Sequence, residues 1–148
     1  MKDYVFILTI FCIIMLTSPV FAGNKLDGPL KANVIRIIDG DTFDVRAQIW
    51  VGQFIETRVR LHGIDTPELK GKCAHETQQA ANALKALSQL IDQKQIILTN
   101  IKNGKYAGRV LASANTLDGI SLTEHMINKG HARAYNGGKR KGWCDKTS

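Results

Sequence analysis

Thr42-Phe43-Asp44-Val45-Arg46-Ala47-Gln48-Ile49-Trp50-Val51-Gly52-Gln53-Phe54-Ile55-Glu56-Thr57-Arg58-Val59-Arg60-Leu61 reads as two strands around a turn. Phe43, Val45, Ala47 and Ile49 recur at every second position, which puts them on one face of a pleated strand. Ile55, Thr57, Val59 and Leu61 form the matching face of the next strand, and Val51-Gly52-Gln53 supplies the turn. Glu56, Arg58, Arg60 and His62 fall on the opposite face, so Arg60 points away from the apolar side. The segment is a β-meander with one buried face, which needs further elements to cover it.

Those elements flank it. Lys31 to Ile38, rich in Val and Ile, is a strand before the meander. Beyond it the period changes: Ala80, Leu84, Leu87 and Ile91 recur at helical spacing between His75 and about Ile91. Strand patterns return at Gln95–Ile101 and Arg109–Asn115, separated by Asn103-Gly104. Ser121-Leu122-Thr123-Glu124 is a capping box that opens a short second helix, with Gly130 where that helix would end. Three strands, a helix, two strands and a helix predict a mainly β fold with helices (α+β), a five-stranded OB-fold barrel with two edge helices. From about residue 136 a basic, glycine-rich tail carries no core pattern.

The chain has 148 residues, enough for one domain, and 44% hydrophobic residues, which argues against disorder. Its first 22 residues are set apart: an apolar run from Val5 to Leu16 precedes Val20-Phe21-Ala22, whose small residues match a signal-peptidase site. The expectation is a signal peptide over 1–22 and a domain over 23–148, with an uncleaved anchor as the alternative. Export would place the product in the periplasm or outside the cell. Losing that segment removes one Lys and one Asp and leaves the formal charge at +7. A basic domain of this kind, with pI ≈ 9.5, is drawn to polyanions such as nucleic acids, acidic glycans or anionic membrane surfaces. Cys12 lies in the leader, so Cys73 and Cys144 remain, an even number that either pairs in an oxidising compartment or stays as two thiols.

Two acidic turns carry the chemistry: Asp39-Gly40-Asp41-Thr42 and Asp65-Thr66-Pro67-Glu68, with Arg60 five residues before Asp65. Each alone is a turn, because Asp, Gly and Pro favour turns for their own backbone reasons. Together they offer hard oxygen ligands for a divalent cation, a spare carboxylate and a guanidinium, a mixture suited to a phosphodiester. No EF-hand loop is present, and His62, His75, His125 and His131 show no ligand spacing.

With Lys105-Tyr106-Ala107-Gly108-Arg109-Val110-Leu111-Ala112 and the Gly130-His131-Ala132 region added, the chain resembles the staphylococcal nuclease (thermonuclease) family from about Val34 to Tyr135. The resemblance implies an exported nuclease that cleaves DNA and RNA with little sequence preference, using Ca²⁺ ahead of Mg²⁺ or Mn²⁺. It implies that Asp41, Asp65 and the carbonyl of Thr66 hold the cation. Glu68 is the implied general base or water-orienting group, Arg60 and Arg109 the implied phosphate ligands, and Tyr106 and Tyr135 the implied neighbours of the nucleotide. A monomer without a stable protein partner, and free of the membrane once the leader is removed, completes the expectation. The chain departs from the family pattern in one extra residue before Arg109, a shorter Leu69–Ala74 loop, and Lys139-Arg140-Lys141 with Cys144 where a long third helix would stand. That basic run is either a phosphate-binding aid or a solvated tail. The competing readings are a non-catalytic OB-fold module that binds nucleic acid or a protein, and a polyanion-binding envelope protein held by charge.

Overall fold

The computed structural model describes residues 23–144. Its elements run β1 (Lys25–Leu26), β2 (Leu30–Asp39), β3 (Thr42–Trp50), β4 (Gln53–Leu61), β5 (Ile64–Asp65), α1 (Ala74–Ile91), β6 (Gln95–Asn103), β7 (Arg109–Thr116), α2 (Leu122–Asn128) and β8 (Arg133–Ala134). Strands β6, β2, β3, β4 and β7 follow one another in the sheet, and β7 pairs back onto β6, which closes a five-stranded barrel. All its pairings are antiparallel except β4–β7, which is parallel with Arg58 opposite Arg109 and Arg60 opposite Leu111. A parallel pair needs a crossover, and α1 with β6 provides it. The OB-type layout expected from the strand order is what forms, mainly β with two helices. The leader expected over residues 1–22 lies outside the described residues. Among the described residues no helix is long and apolar enough to cross a membrane.

The period-2 residues fill the barrel. Phe43, Val45, Val59 and Leu61 are fully buried, and Ile96, Leu98 and Ala112 meet them from β6 and β7. Helix α1 covers one end with Ala83, Leu87 and Ile91, and α2 contributes Leu122 and Met126. Each such large side chain removed from water contributes roughly 2 kcal/mol. Both helices start on a side-chain cap: the Cys73 sulfur accepts the Glu76 N–H, and Ser121 Oγ accepts the Glu124 N–H at 3.3 Å.

The structure differs from the sequence pattern at the hairpin's far end. Ile49 and Ile55, expected on the buried face, are 45% and 43% exposed. The reason is register: β2 backs β3 only as far as Ala47, and β7 backs β4 only from Arg58 onward. The outer part of the hairpin has no sheet behind it. Three two-residue strands were also not anticipated. Two of them, β5 and β8, form a separate ladder that pairs Ile64 with Ala134 and Asp65 with Arg133.

Candidate active site

The turn between β2 and β3 is locked from inside and outside. Asp39 Oδ1 accepts the Asp41 N–H at 3.0 Å, a side-chain turn that Asp favours. Gly40 is required by packing rather than by backbone angle: a Cβ there would lie 2.7 Å from the Cβ of Ala83 and 3.2 Å from Thr66. Helix α1 and the second acidic turn therefore press directly on the first. Asp41 is 1% exposed. Its Oδ1 accepts from Arg60 Nη1 at 2.7 Å and from Thr42 Oγ1 at 2.8 Å, while its buried Oδ2 has no partner. Burial pushes the Asp41 carboxyl up to about 7, the neighbouring Asp39 charge adds to this, and Arg60 pulls against it.

Asp65 is fully buried at the start of the second turn. Its Oδ2 accepts from Arg133 Nε at 3.1 Å, Arg133 Nη2 at 2.8 Å and Trp143 Nε1 at 3.0 Å. Its Oδ1 faces Arg140 instead, and the same guanidinium reaches Glu68 Oε1 and donates to the Thr66 carbonyl at 3.1 Å. Buried Glu76 holds the loop that follows, accepting the backbone N–H of Lys72 at 2.9 Å and of Glu68 at 3.4 Å. Cys73 and Cys144 are joined in a disulfide with Cα atoms 5.9 Å apart, which ties the tail to the start of α1.

The Gly104–Gly108 loop leads into Arg109. Gly108 takes φ +73°, a left-handed angle that favours glycine, and Gly104 N–H donates to the Arg109 carbonyl at 2.9 Å. Arg109 thereby begins β7 in register beside Arg58, its guanidinium 4.7 Å from the centre of the Tyr106 ring. Arg109 Nε is buried without a partner. Tyr135 is fixed by its N–H on the Gly63 carbonyl at 2.9 Å and by its hydroxyl on the Gly138 carbonyl at 2.6 Å.

Asp41, Arg60, Thr66, Glu68, Tyr106, Arg109 and Tyr135 all open onto one cleft of about 700 Å³. Asp65 lies behind it, under Arg140, and the two cysteines stand apart. Sequence reading missed Arg133, Trp143 and Glu76, and left Arg140 in a tail of open purpose. For Arg140 the signal was the tether, since Cys144 follows only four residues later. For Arg133 there was none, because its role depends on a two-residue ladder.

The donor chemistry fits a divalent cation. The free Asp41 oxygen is an orphaned buried acceptor, and Asp65 Oδ1, Glu68 Oε1 and the Thr66 carbonyl already converge on one positive group. All are hard oxygens of the kind Ca²⁺ and Mg²⁺ select. The guanidiniums of Arg60 and Arg109 in the same cleft suit planar, bidentate recognition of a phosphate.

The model of the staphylococcal nuclease homologue family matches residues 58–146. An uncharacterized endonuclease of Escherichia coli is 26% identical over 116 residues, which span 78% of this chain and 68% of that protein. A second uncharacterized endonuclease, from Escherichia coli O157:H7, matches to the same extent.

Proposed function

We propose that this chain, which belongs to the staphylococcal nuclease homologue family, is an exported, Ca²⁺-dependent nuclease that hydrolyses phosphodiester bonds of DNA and RNA. The observation that carries the reading is the meeting in one cleft of Arg60, Arg109, Asp41 and Glu68, two guanidiniums facing oxygen donors. A nuclease of weak sequence preference is what such a cleft suits, because its groups address phosphate and not base edges.

Asp41, Asp65 and the Thr66 carbonyl would hold the cation, which when bound neutralises charge on the phosphate and lowers the pKa of a coordinated water. Arg60 and Arg109 bind the scissile phosphate through paired N–H donors and stabilise the charge that builds on its oxygens. Glu68, 53% exposed in its side chain, reaches into solvent where it can accept a proton from the attacking water or orient it. Tyr106, its ring centre 4.7 Å from the Arg109 guanidinium, offers a face on which a base or sugar can rest. Export is supported by the apolar run from Val5 to Leu16 with the signal-peptidase-like Val20-Phe21-Ala22 after it, and by the Cys73–Cys144 bond, which suits an oxidising compartment.

The test is cleavage of single-stranded DNA and RNA by the purified protein, with Ca²⁺ and then with a chelator. Loss of cleavage on chelation and in Glu68→Gln is the expected outcome. Tight binding of the strand without any cleavage would instead make the chain a non-catalytic nucleic-acid-binding barrel.

A further inference from the structure

Asp65 uses its two oxygens differently. Oδ2 is taken by Arg133 and Trp143, which fixes the carboxylate, while Oδ1 meets Arg140, which lines the cleft. Arg140 also reaches Glu68 Oε1 and the Thr66 carbonyl, so one guanidinium spans three oxygens of the second acidic turn. It arrives there on a segment held at both ends. Tyr135 anchors one side through Gly63 and Gly138, and the Cys73–Cys144 bond anchors the other, four residues beyond Arg140. Between them Arg133 Nη1 donates to the Gly142 carbonyl at 3.0 Å, and its guanidinium lies 4.1 Å from the Trp143 ring centre.

We propose that Arg140 is an intramolecular competitor for the cation, presented to the site by the disulfide-anchored tail, so that it sets the cation affinity. The inference rests on the cation reading given under Proposed function. A guanidinium and a dication cannot share Asp65 Oδ1 and the Thr66 carbonyl: the lone pairs are used by one or the other, and the like charges repel. Seating of Arg140 and binding of the ion therefore exclude each other. Arg140 is 37% exposed in its side chain and lines the cleft, so it can leave without unfolding the barrel. The tether keeps its effective concentration high, and opening the disulfide lowers it. Opening needs a dithiol reductant, which passes two electrons and two protons to the bond, leaves Cys73 and Cys144 as thiols and ends as a disulfide itself.

The experiment is calorimetric titration of the full, oxidised protein with Ca²⁺, free of nucleic acid, beside Arg140→Gln, Arg140→Lys and the dithiothreitol-reduced protein. Arg140→Gln is expected to bind Ca²⁺ on the order of tenfold more tightly, equivalent to about 1.4 kcal/mol. Arg140→Lys, which keeps the charge but loses the fork, falls between. Reduction shifts the wild type in the same direction and adds nothing to Arg140→Gln. Lys85→Gln, an exposed charge removed from α1, leaves the affinity unchanged. Equal or weaker binding in Arg140→Gln, with its thermal midpoint preserved, overturns the competition and leaves the cation reading standing; if Arg140→Gln does not fold, the reduced wild type and Arg140→Lys decide in the same way. If neither the wild type nor any variant binds Ca²⁺, Mg²⁺ or Mn²⁺, the cation reading fails and the competition fails with it.

Discussion

Arg133 stands directly across from Asp65 in the β5–β8 ladder, and both its Nε and its Nη2 donate to a single oxygen of that carboxylate. The backbone register thus delivers the guanidinium to the one fully buried acidic group of the second acidic turn. A buried carboxylate that loses one of its two guanidinium partners keeps its desolvation cost and loses part of its compensation, Arg140 remaining on the other oxygen. Arg133 is itself 30% exposed in its side chain, so the cost of losing it is below that of a fully buried pair. Arg133→Met is expected to lower unfolding free energy by about 2 kcal/mol, and Arg133→Lys by about 1. Urea unfolding measures both. The double variant Arg133→Met with Asp65→Asn should lose less than the two single changes added together, because both remove the same ion pair.

Arg60 and Arg109 differ in what holds them, and their lysine variants should differ accordingly. Either loses paired donation to a phosphate, which costs on the order of 3 kcal/mol of barrier, roughly a hundredfold in turnover. Arg60 is also ion-paired with buried Asp41 at 2.7 Å, so Arg60→Lys gives up about 1 kcal/mol of stability as well. Arg109 rests on Tyr106 and its buried Nε has no partner, so Arg109→Lys should unfold near the wild-type midpoint. Steady-state cleavage rates beside thermal melts separate the two effects. Wild-type turnover in either variant removes that arginine from the phosphate site.

Gly40 explains itself through Ala83. A methyl group at position 40 would meet the Ala83 Cβ at 2.7 Å, with both on rigid backbone. Gly40→Ala is expected to cost about 2 kcal/mol by forcing α1 off the turn. Ala83→Gly alone costs about 1 kcal/mol of helix propensity. Combined, the two should be less destabilising than Gly40→Ala by itself, with Thr66 at 3.2 Å preventing full recovery. Chemical denaturation of the three variants checks this, and strict additivity would show that the helix is not what the glycine accommodates.

How far the sequence carried the fold follows from which interactions are local. Alternation in Phe43 to Leu61 and the helical spacing of Ala80 to Ile91 mark barrel strands and a helix, because one buried face imposes a period on its own segment. The exposure of Ile49 and Ile55 could not be read that way, since it depends on where β2 and β7 stop pairing. The same division runs through the site. Asp41, Arg60, Glu68 and Arg109 sit in short motifs whose residue types are unusual together, so they could be named as candidates. The partners of Asp65 lie 68 to 78 positions away, on a two-residue strand and a tail without periodicity, and only the closed chain brings them to it.

Asp44 gives the fold a pH signature outside the cleft. It lies between two guanidiniums, Arg58 Nε at 2.8 Å and Arg36 Nε at 2.7 Å. The Arg58 hydrogen bond holds its carboxyl below the ordinary value of 3.8, with Arg36 adding and burial opposing. A carboxyl whose pKa is lower folded than unfolded binds its proton more readily in the unfolded chain. Its contribution is therefore complete above about pH 3.8 and disappears as the pH falls through the lower folded value. Both arginines are well exposed, 41% and 64%, so the whole contribution is about 1 kcal/mol. Asp44→Asn should accordingly be less stable than the wild type by that amount at pH 7, and the gap should close toward pH 2. Urea midpoints taken across that range decide it, and a gap that stays constant with pH would mean that packing, not the charge of Asp44, is what the substitution removes.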